Sequence, residues 1–302
     1  MQKNQLKKLL NDLGNNVIFD QDLKKKNWFN IGGKSKVFYK AGNLKDLVRF
    51  LKLLNNQEKI FVIGAGSNTL ISDEFFDGVV IKLSKNFSRT SLLREDVIVS
   101  GSAVQDGNLS TFAAENHLSG FEFLSCIPGT VGGGIKMNAG CFGSEFKDIL
   151  LSIQAIDHKG NLITIPSKKI NFEYRNNDIP ENLIFLSASF KGVKSNFQKI
   201  KSQILKMKTQ KEKNQPTKIK TSGSTFKNPI NQSNKKVWEL IRESVPIETN
   251  FGDAHISSKH SNFFVNKGNA TFKDMKKLID FVSDKVFEKT GVKLDKEIKI
   301  LE

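Results

Sequence analysis

The sequence predicts an α+β protein with two domains. Three observations carry this reading. Up to about residue 190, short β-like runs alternate with Gly-rich turns and a few helices; beyond residue 220, two helical stretches precede one terminal strand. Between them lies a lysine-rich helical segment closed by Pro216. The 302 residues suit two or three domains, at roughly 100–200 residues each.

The elements follow in order. Residues 59–63, 79–83, 97–99, 153–157, 162–165 and 183–190 read as strands, the last by its period-two alternation; 44–54 and 108–116 read as helices. In 191–220, ten lysines stand against one acid, Glu212, while Phe197, Ile200, Ile204 and Met207 recur at helical spacing. That is an amphipathic helix with a solvated basic face. Helices at about 235–244 and 272–289 come next, the second capped by Gly291, and a strand at 294–300 ends the chain. The expected division is a first domain over 1–192, with two parts split near residue 85, a basic connecting helix over 193–215, and a C-terminal domain over 216–302 that carries Glu297 on its last strand.

Composition excludes several classes. A hydrophobic share of 38% with 24 Phe supports a packed core. No apolar run approaches the roughly 18 residues of a membrane helix, and the N-terminus leads into no apolar signal segment. Cys126 and Cys141 are too few for a disulfide scaffold and fit a reduced, cytoplasmic setting. The formal charge of +16 comes from 42 Lys and five Arg. A nucleic-acid reader relies on Arg for guanine edges and phosphate forks, so nucleic acid and membrane are not expected partners, and no obligate protein partner is evident. The four histidines (117, 158, 255 and 260) are scattered, and no metal site is expected.

Two Gly-rich stretches carry the chemistry. Gly64-Ala65-Gly66-Ser67-Asn68 follows an apolar strand, but Thr69 stands where a dinucleotide fingerprint needs its third glycine, so a Rossmann reading fails. Ile127-Pro128-Gly129-Thr130-Val131-Gly132-Gly133-Gly134 leads into Met137-Asn138-Ala139-Gly140 without the Gly-Lys-Ser/Thr ending of a P-loop. Each stretch reads either as a tight turn or as bare backbone amides that approach one diphosphate. Ser224-Thr225-Phe226-Lys227 imitates a serine acylation motif, with Lys289-Thr290-Gly291 downstream. The intervening Ser-Asp-Asn is missing, and Gly291 is already a helix cap. Arg175, in Phe172-Glu173-Tyr174-Arg175-Asn176, reads as a surface cation in a polar loop or as a clamp on a carboxylate or enolate oxygen. Glu297 lies on the strand face opposite Leu294, Ile298 and Ile300, as a solvated charge or an acid presented to a ligand.

Together these segments resemble the UDP-N-acetylenolpyruvoylglucosamine reductase family of bacterial cell-wall synthesis. The resemblance rests on Asn27 with Ile31-Gly32-Gly33, the two Gly-rich stretches, Tyr174-Arg175, Gln215-Pro216, residues 222–229, Ser258-x-His260-x-Asn262-Phe263, Val265-Asn266 and Glu297-Ile298-Lys299, in order along nearly the whole chain. It implies a two-part FAD-binding domain of the vanillyl-alcohol-oxidase type and a smaller α+β substrate domain. It further implies non-covalent FAD held by the two Gly-rich loops, NADPH as co-substrate, and an enolpyruvyl sugar nucleotide as substrate. By similarity, Arg175 and a protonated Glu297 stabilise an enolate that Ser224 protonates, and Tyr174, Lys227 and Asn228 contact substrate. The alternatives are another flavin oxidoreductase of this fold or, from a different class, a basic nucleic-acid-binding protein. Trp28, Cys126, 242–245 and 248–251 depart from the family pattern, all beside the motifs and not on Arg175, Ser224 or Glu297. With tyrosine only at 39 and 174, the chain resembles the subgroup without a tyrosine-bearing lid.

Overall fold

The computed structural model describes residues 3–216 and 219–302. Met1, Gln2, Thr217 and Lys218, the last one of the ten lysines noted above, lie outside the described residues. The chain forms two compact units. The first comprises Met1–Gln21, Lys36–Ala65 and Asp77–Gln210; the second comprises Asp22–Ser35, Gly66–Phe76 and Lys211–Glu302.

The first unit contains two larger sheets. One has four strands in the order Val17–Asp22, Lys34–Ala41, Phe76–Leu83 and Ile60–Val62, the last pair parallel. Helix Leu44–Leu54 belongs with it. Asn43 caps its start by accepting from the Asp46 amide, and Asn55 ends it in the left-handed region. Leu47, Phe50, Leu51 and Leu54 share one face, fully buried with Val37, Tyr39, Val79 and Ile81. The other sheet is antiparallel throughout, in the order Leu162–Pro166, Leu150–Asp157, Leu183–Lys191, Val97–Gly101 and Thr90–Arg94. Helices Asp106–Glu115 and Val131–Lys136 contribute to its core, where Phe121, Phe123, Phe146 and Phe190 meet edge-on or tilted.

The second unit is built around helices Val237–Ser244 and Phe272–Thr290 and the antiparallel sheet Asn250–Phe251, Ala254–Ile256 and Phe264–Asn266. Thr271 and Asp274 form a capping box on the long helix, and Gly291, with φ of 70°, closes it where the sequence placed its cap.

Three expectations need correction. The division is not linear: 22–35 and 66–76 belong to the second unit because Phe29, Ile31 and Leu70 bury in its core and Thr69–Ile71 pairs parallel with Lys299–Leu301. Such pairing across more than 200 residues leaves no local signal. The terminal strand is only Lys299–Leu301. Ahead of it, Glu297 N and Ile298 N both point at Thr225 O, at 2.8 and 3.5 Å, which breaks a regular ladder at the bend. The expected alternation survives, with Leu294 and Ile298 buried and Glu297 half-buried. Finally, the basic helix is Phe197–Asn214, preceded by a strand Val193–Lys194 that pairs with Leu118–Ser119. Its Ile200 is buried, Ile204 and Met207 are half-buried, and Leu205 is exposed. Among the described residues, no helix is long and apolar enough to cross a membrane.

Candidate functional site

In the first unit, the second Gly-rich loop and the Arg175 segment form one interlocked structure. Gly140–Cys141 pairs with Ser144–Glu145 across a turn in which Phe142 and Gly143 both have positive φ, the geometry that matches strand twist. A second hairpin pairs Phe172–Glu173 with Asn176–Asn177, so Tyr174 and Arg175 are its turn and not part of an open loop. Arg175 has φ of 55°, a left-handed conformation that bulky side chains rarely adopt.

Side-chain bonds fix both hairpins to each other. Arg175 Nη2 donates to Gly140 O at 2.7 Å and Nη1 to Asn138 O at 3.4 Å, while Glu145 Oε1 lies 3.7 Å from Nη1. The guanidinium also lies 5.0 Å from the Tyr174 ring centroid. Asn138, fully buried with φ of 41°, donates to Glu173 O at 2.9 Å and Glu145 Oε2 at 3.0 Å, and accepts from Lys147 N at 3.1 Å. Arg175 is therefore tied through its guanidinium to the loop backbone. Glu145 was missed in the sequence, because nothing local distinguishes it from an ordinary surface acid.

The two Gly-rich loops meet in this unit. A Cβ on Gly64 would fall 2.4 Å from Thr130 Oγ1, so bare backbone is required there. Not every loop amide remains available for an anion. Val131 N and Gly132 N donate to Val104 O and Ser102 O, each at 2.9 Å. Gly134 is demanded by packing alone, since its Cβ would strike the Phe146 ring. Against Gly129 lies Asp106, fully buried and with no hydrogen-bond partner on either carboxylate oxygen. Burial raises its pKa well above the usual carboxylate range, which favours the neutral acid and spares the loop a fixed negative charge. Bare backbone at Gly64 and Gly129, with a neutral group behind it, fits a diphosphate-bearing cofactor.

The second unit holds the remaining residues. Gly66, with φ of 69°, has no room for a Cβ because Lys26 O would lie 2.3 Å away, and its carbonyl accepts from Trp28 N at 3.0 Å. Ser67 is half-buried, and Asn68 reaches Glu297, its Nδ2 donating to Glu297 O at 3.0 Å. Ser224 and Glu297 come together on neighbouring extended segments. Ser224 pairs with Phe263 and Phe226 with Lys296 in isolated bridges, while Glu297 N donates to Thr225 O and Lys227 N to Asp295 O, each at 2.8 Å. Both side chains are half-buried, set in place by main-chain bonds. Asn228 has a structural duty, its Oδ1 accepting from Val237 N at 3.0 Å at the start of a helix. No group of three or more His, Cys, Asp or Glu able to hold a metal occurs among the described residues.

Comparison with known proteins agrees with this arrangement. The "FAD binding domain" family model matches residues 35–166, and the model for "UDP-N-acetylenolpyruvoylglucosamine reductase, C-terminal domain" matches 215–301. A protein named UDP-N-acetylenolpyruvoylglucosamine reductase from Pelagibacter ubique is 61% identical over 297 residues, covering 98% of each chain. Its namesake from Rickettsia massiliae is 45% identical over 282 residues, covering 93% of this chain and 94% of that one. The crystal structure of the Thermus caldophilus reductase matches with a TM-score of 0.81 at 29% identity, covering 95% of this chain and 98% of that one. Likeness at this level runs through both units and through every segment that carries Arg175, Ser224 and Glu297, and the chain belongs to the UDP-N-acetylenolpyruvoylglucosamine reductase family.

Proposed function

We propose that this protein is an FAD-dependent, NADPH-using reductase that converts UDP-N-acetylglucosamine enolpyruvate to UDP-N-acetylmuramate in peptidoglycan precursor synthesis. The reading is supported by family membership over nearly the full length and, above all, by Ser224 and Glu297 standing on directly bonded backbone segments. A sequence with cysteine only at 126 and 141 suits a cytoplasmic setting.

The Gly-rich segments 64–68 and 127–140 hold FAD without a covalent bond. When bound there, FAD reduced by NADPH would supply hydride for the terminal vinyl carbon. Charge then builds on the neighbouring carbon and its carboxylate. The Arg175 guanidinium and the Glu297 carboxyl, carrying its proton, donate to that developing enolate and lower its energy. Ser224 Oγ gives its proton to the carbon, which completes the lactyl ether, and the serine regains a proton from solvent. A serine hydroxyl is a weak acid, so the step requires a strongly basic carbanion within hydrogen-bond reach. Tyr174, Lys227 and Asn228 orient the sugar nucleotide.

The test is spectroscopic. Purified protein should show flavin bands that NADPH bleaches without oxygen and that the enolpyruvyl sugar nucleotide restores. A colourless protein that cannot be reconstituted with FAD, or reduced flavin that persists with this substrate, would overturn the reading.

A further inference from the structure

Asn262 is 2% exposed and bonds Phe226 through both ends of its carboxamide. Phe226 N donates to Asn262 Oδ1 at 3.0 Å, and Asn262 Nδ2 donates to Phe226 O at 2.9 Å. The main chain adds a third bond, Thr225 N donating to Asn262 O at 2.8 Å. A carboxamide is a peptide group in miniature, with one acceptor and donor N–H groups in a plane.

That likeness has a structural use here. Phe263 pairs with Ser224, but the chain then turns away, Phe263 N donating to His260 O at 2.9 Å. The next rung of the ladder is supplied by the Asn262 side chain instead of a backbone residue. On its other edge the same segment is held by Glu297 N and by the Phe226–Lys296 bridge. The position of Ser224 and the anchorage of Glu297 therefore both depend on a strip whose far edge Asn262 completes. Asn262 N in turn donates to His260 Nδ1 at 3.3 Å, which leaves the imidazole proton on Nε2.

We propose that Asn262 is a positioning residue for the protonation step, its carboxamide fixing the Ser224–Phe226 strip so that Ser224 and Glu297 keep one register. The inference rests on the assignment of Ser224 as proton donor. It predicts an unusual behaviour for one substitution. In Asn262→Asp an ionised carboxylate keeps the acceptor for Phe226 N but sets an oxygen against Phe226 O. The protonated carboxyl offers one acceptor and one O–H donor, the pattern of the original amide. The variant should therefore acquire a pH dependence that Asn262→Ala lacks.

The experiment uses FAD-loaded protein under anaerobic stopped flow, with rates expressed per bound flavin so that loss of folded protein does not count. Flavin reduction by NADPH should stay within about twofold of the parent in both variants. Reoxidation by saturating enolpyruvyl sugar nucleotide should slow by roughly 10- to 100-fold in Asn262→Ala at every pH. In Asn262→Asp it should be slow near about pH 8 and recover toward the parent near about pH 6. Each rate is divided by the parent's at the same pH, because His260, Asp295, Lys296 and Glu297 flank the strip in all three proteins. Should Asn262→Ala not fold, Asn262→Asp carries the test by itself. Parent-like reoxidation in the folded variants at every pH overturns the inference. Ser224→Ala run alongside separates the two assignments: normal reoxidation there defeats the proton-donor reading, whereas blocked Ser224→Ala beside normal Asn262 variants defeats only the positioning role.

Discussion

Arg175 and Glu297 are assigned to the same developing charge, yet the chain holds them in opposite ways. Arg175 stands on a hairpin turn with a left-handed φ, and its own guanidinium bonds Gly140 O and Asn138 O. Glu297 is fixed through its backbone, N to Thr225 O and O to Asn68 Nδ2. The first residue is part of the scaffold as well as of the proposed chemistry. The second is placed by its neighbours. Substitution at Arg175 should therefore damage both the local scaffold and the proposed chemistry.

Three substitutions sharpen that contrast, beginning with the largest effect. Arg175→Ala removes the cation and leaves Gly140 O without its strongest donor, so substrate-dependent flavin reoxidation should fall about 10²–10³-fold and FAD occupancy should fall with it. Arg175→Lys should recover only part, since one ammonium cannot reproduce the planar fork. Unchanged FAD content in Arg175→Ala would break the comparison. Glu297→Ala should slow the same half-reaction by about 10²-fold, as read by anaerobic stopped flow.

Smaller effects probe the cofactor loops. Gly64→Ala puts a Cβ 2.4 Å from Thr130 Oγ1 and should weaken FAD binding several-fold in a fluorescence titration of apoprotein. Thr130→Ala in the same chain should restore part of the loss, because the clash is with that hydroxyl. The smallest effect concerns stability. Asp106 has a folded pKa raised by burial, so the native state binds more protons than the unfolded chain as pH climbs above the ordinary carboxylate value. Its contribution is thus lost with rising pH, by up to about 1.4 kcal/mol per pH unit within that window. Asp106→Asn should raise the melting temperature more at pH about 8 than at about 5, and an equal change at both would contradict the assignment.

The parts legible in the sequence were those written locally. The Leu44–Leu54 helix has its bounds marked by apolar spacing, and Gly291 marks a helix end without reference to anything distant. Strand Lys34–Ala41 escaped because three lysines interrupt it, yet Lys36 is buried, its ammonium 3.0 Å from Glu58 and 2.9 Å from Asp77. Strand Thr90–Arg94 escaped for the opposite reason: Leu92 and Leu93 are adjacent and both exposed at a sheet edge, so no alternation appears. At the site, Gly64, Gly66, Arg175, Ser224 and Glu297 were visible as residue types in suggestive company. Their fastening was not. Asn138, Glu145 and Arg175 meet only because two hairpins fold against each other, and Asn262 meets Phe226 only because a side chain substitutes for a strand.

The central claim is that this chain's Ser224 delivers the proton that completes reduction of the enolpyruvyl group, and Ser224→Ala tests it most directly. Mixed with NADPH without oxygen, the FAD-loaded variant should bleach at the parent's rate. On addition of the enolpyruvyl sugar nucleotide its flavin should stay reduced, at least about 10²-fold slower to reoxidise than the parent. Return of the flavin bands at the parent's rate would contradict the account.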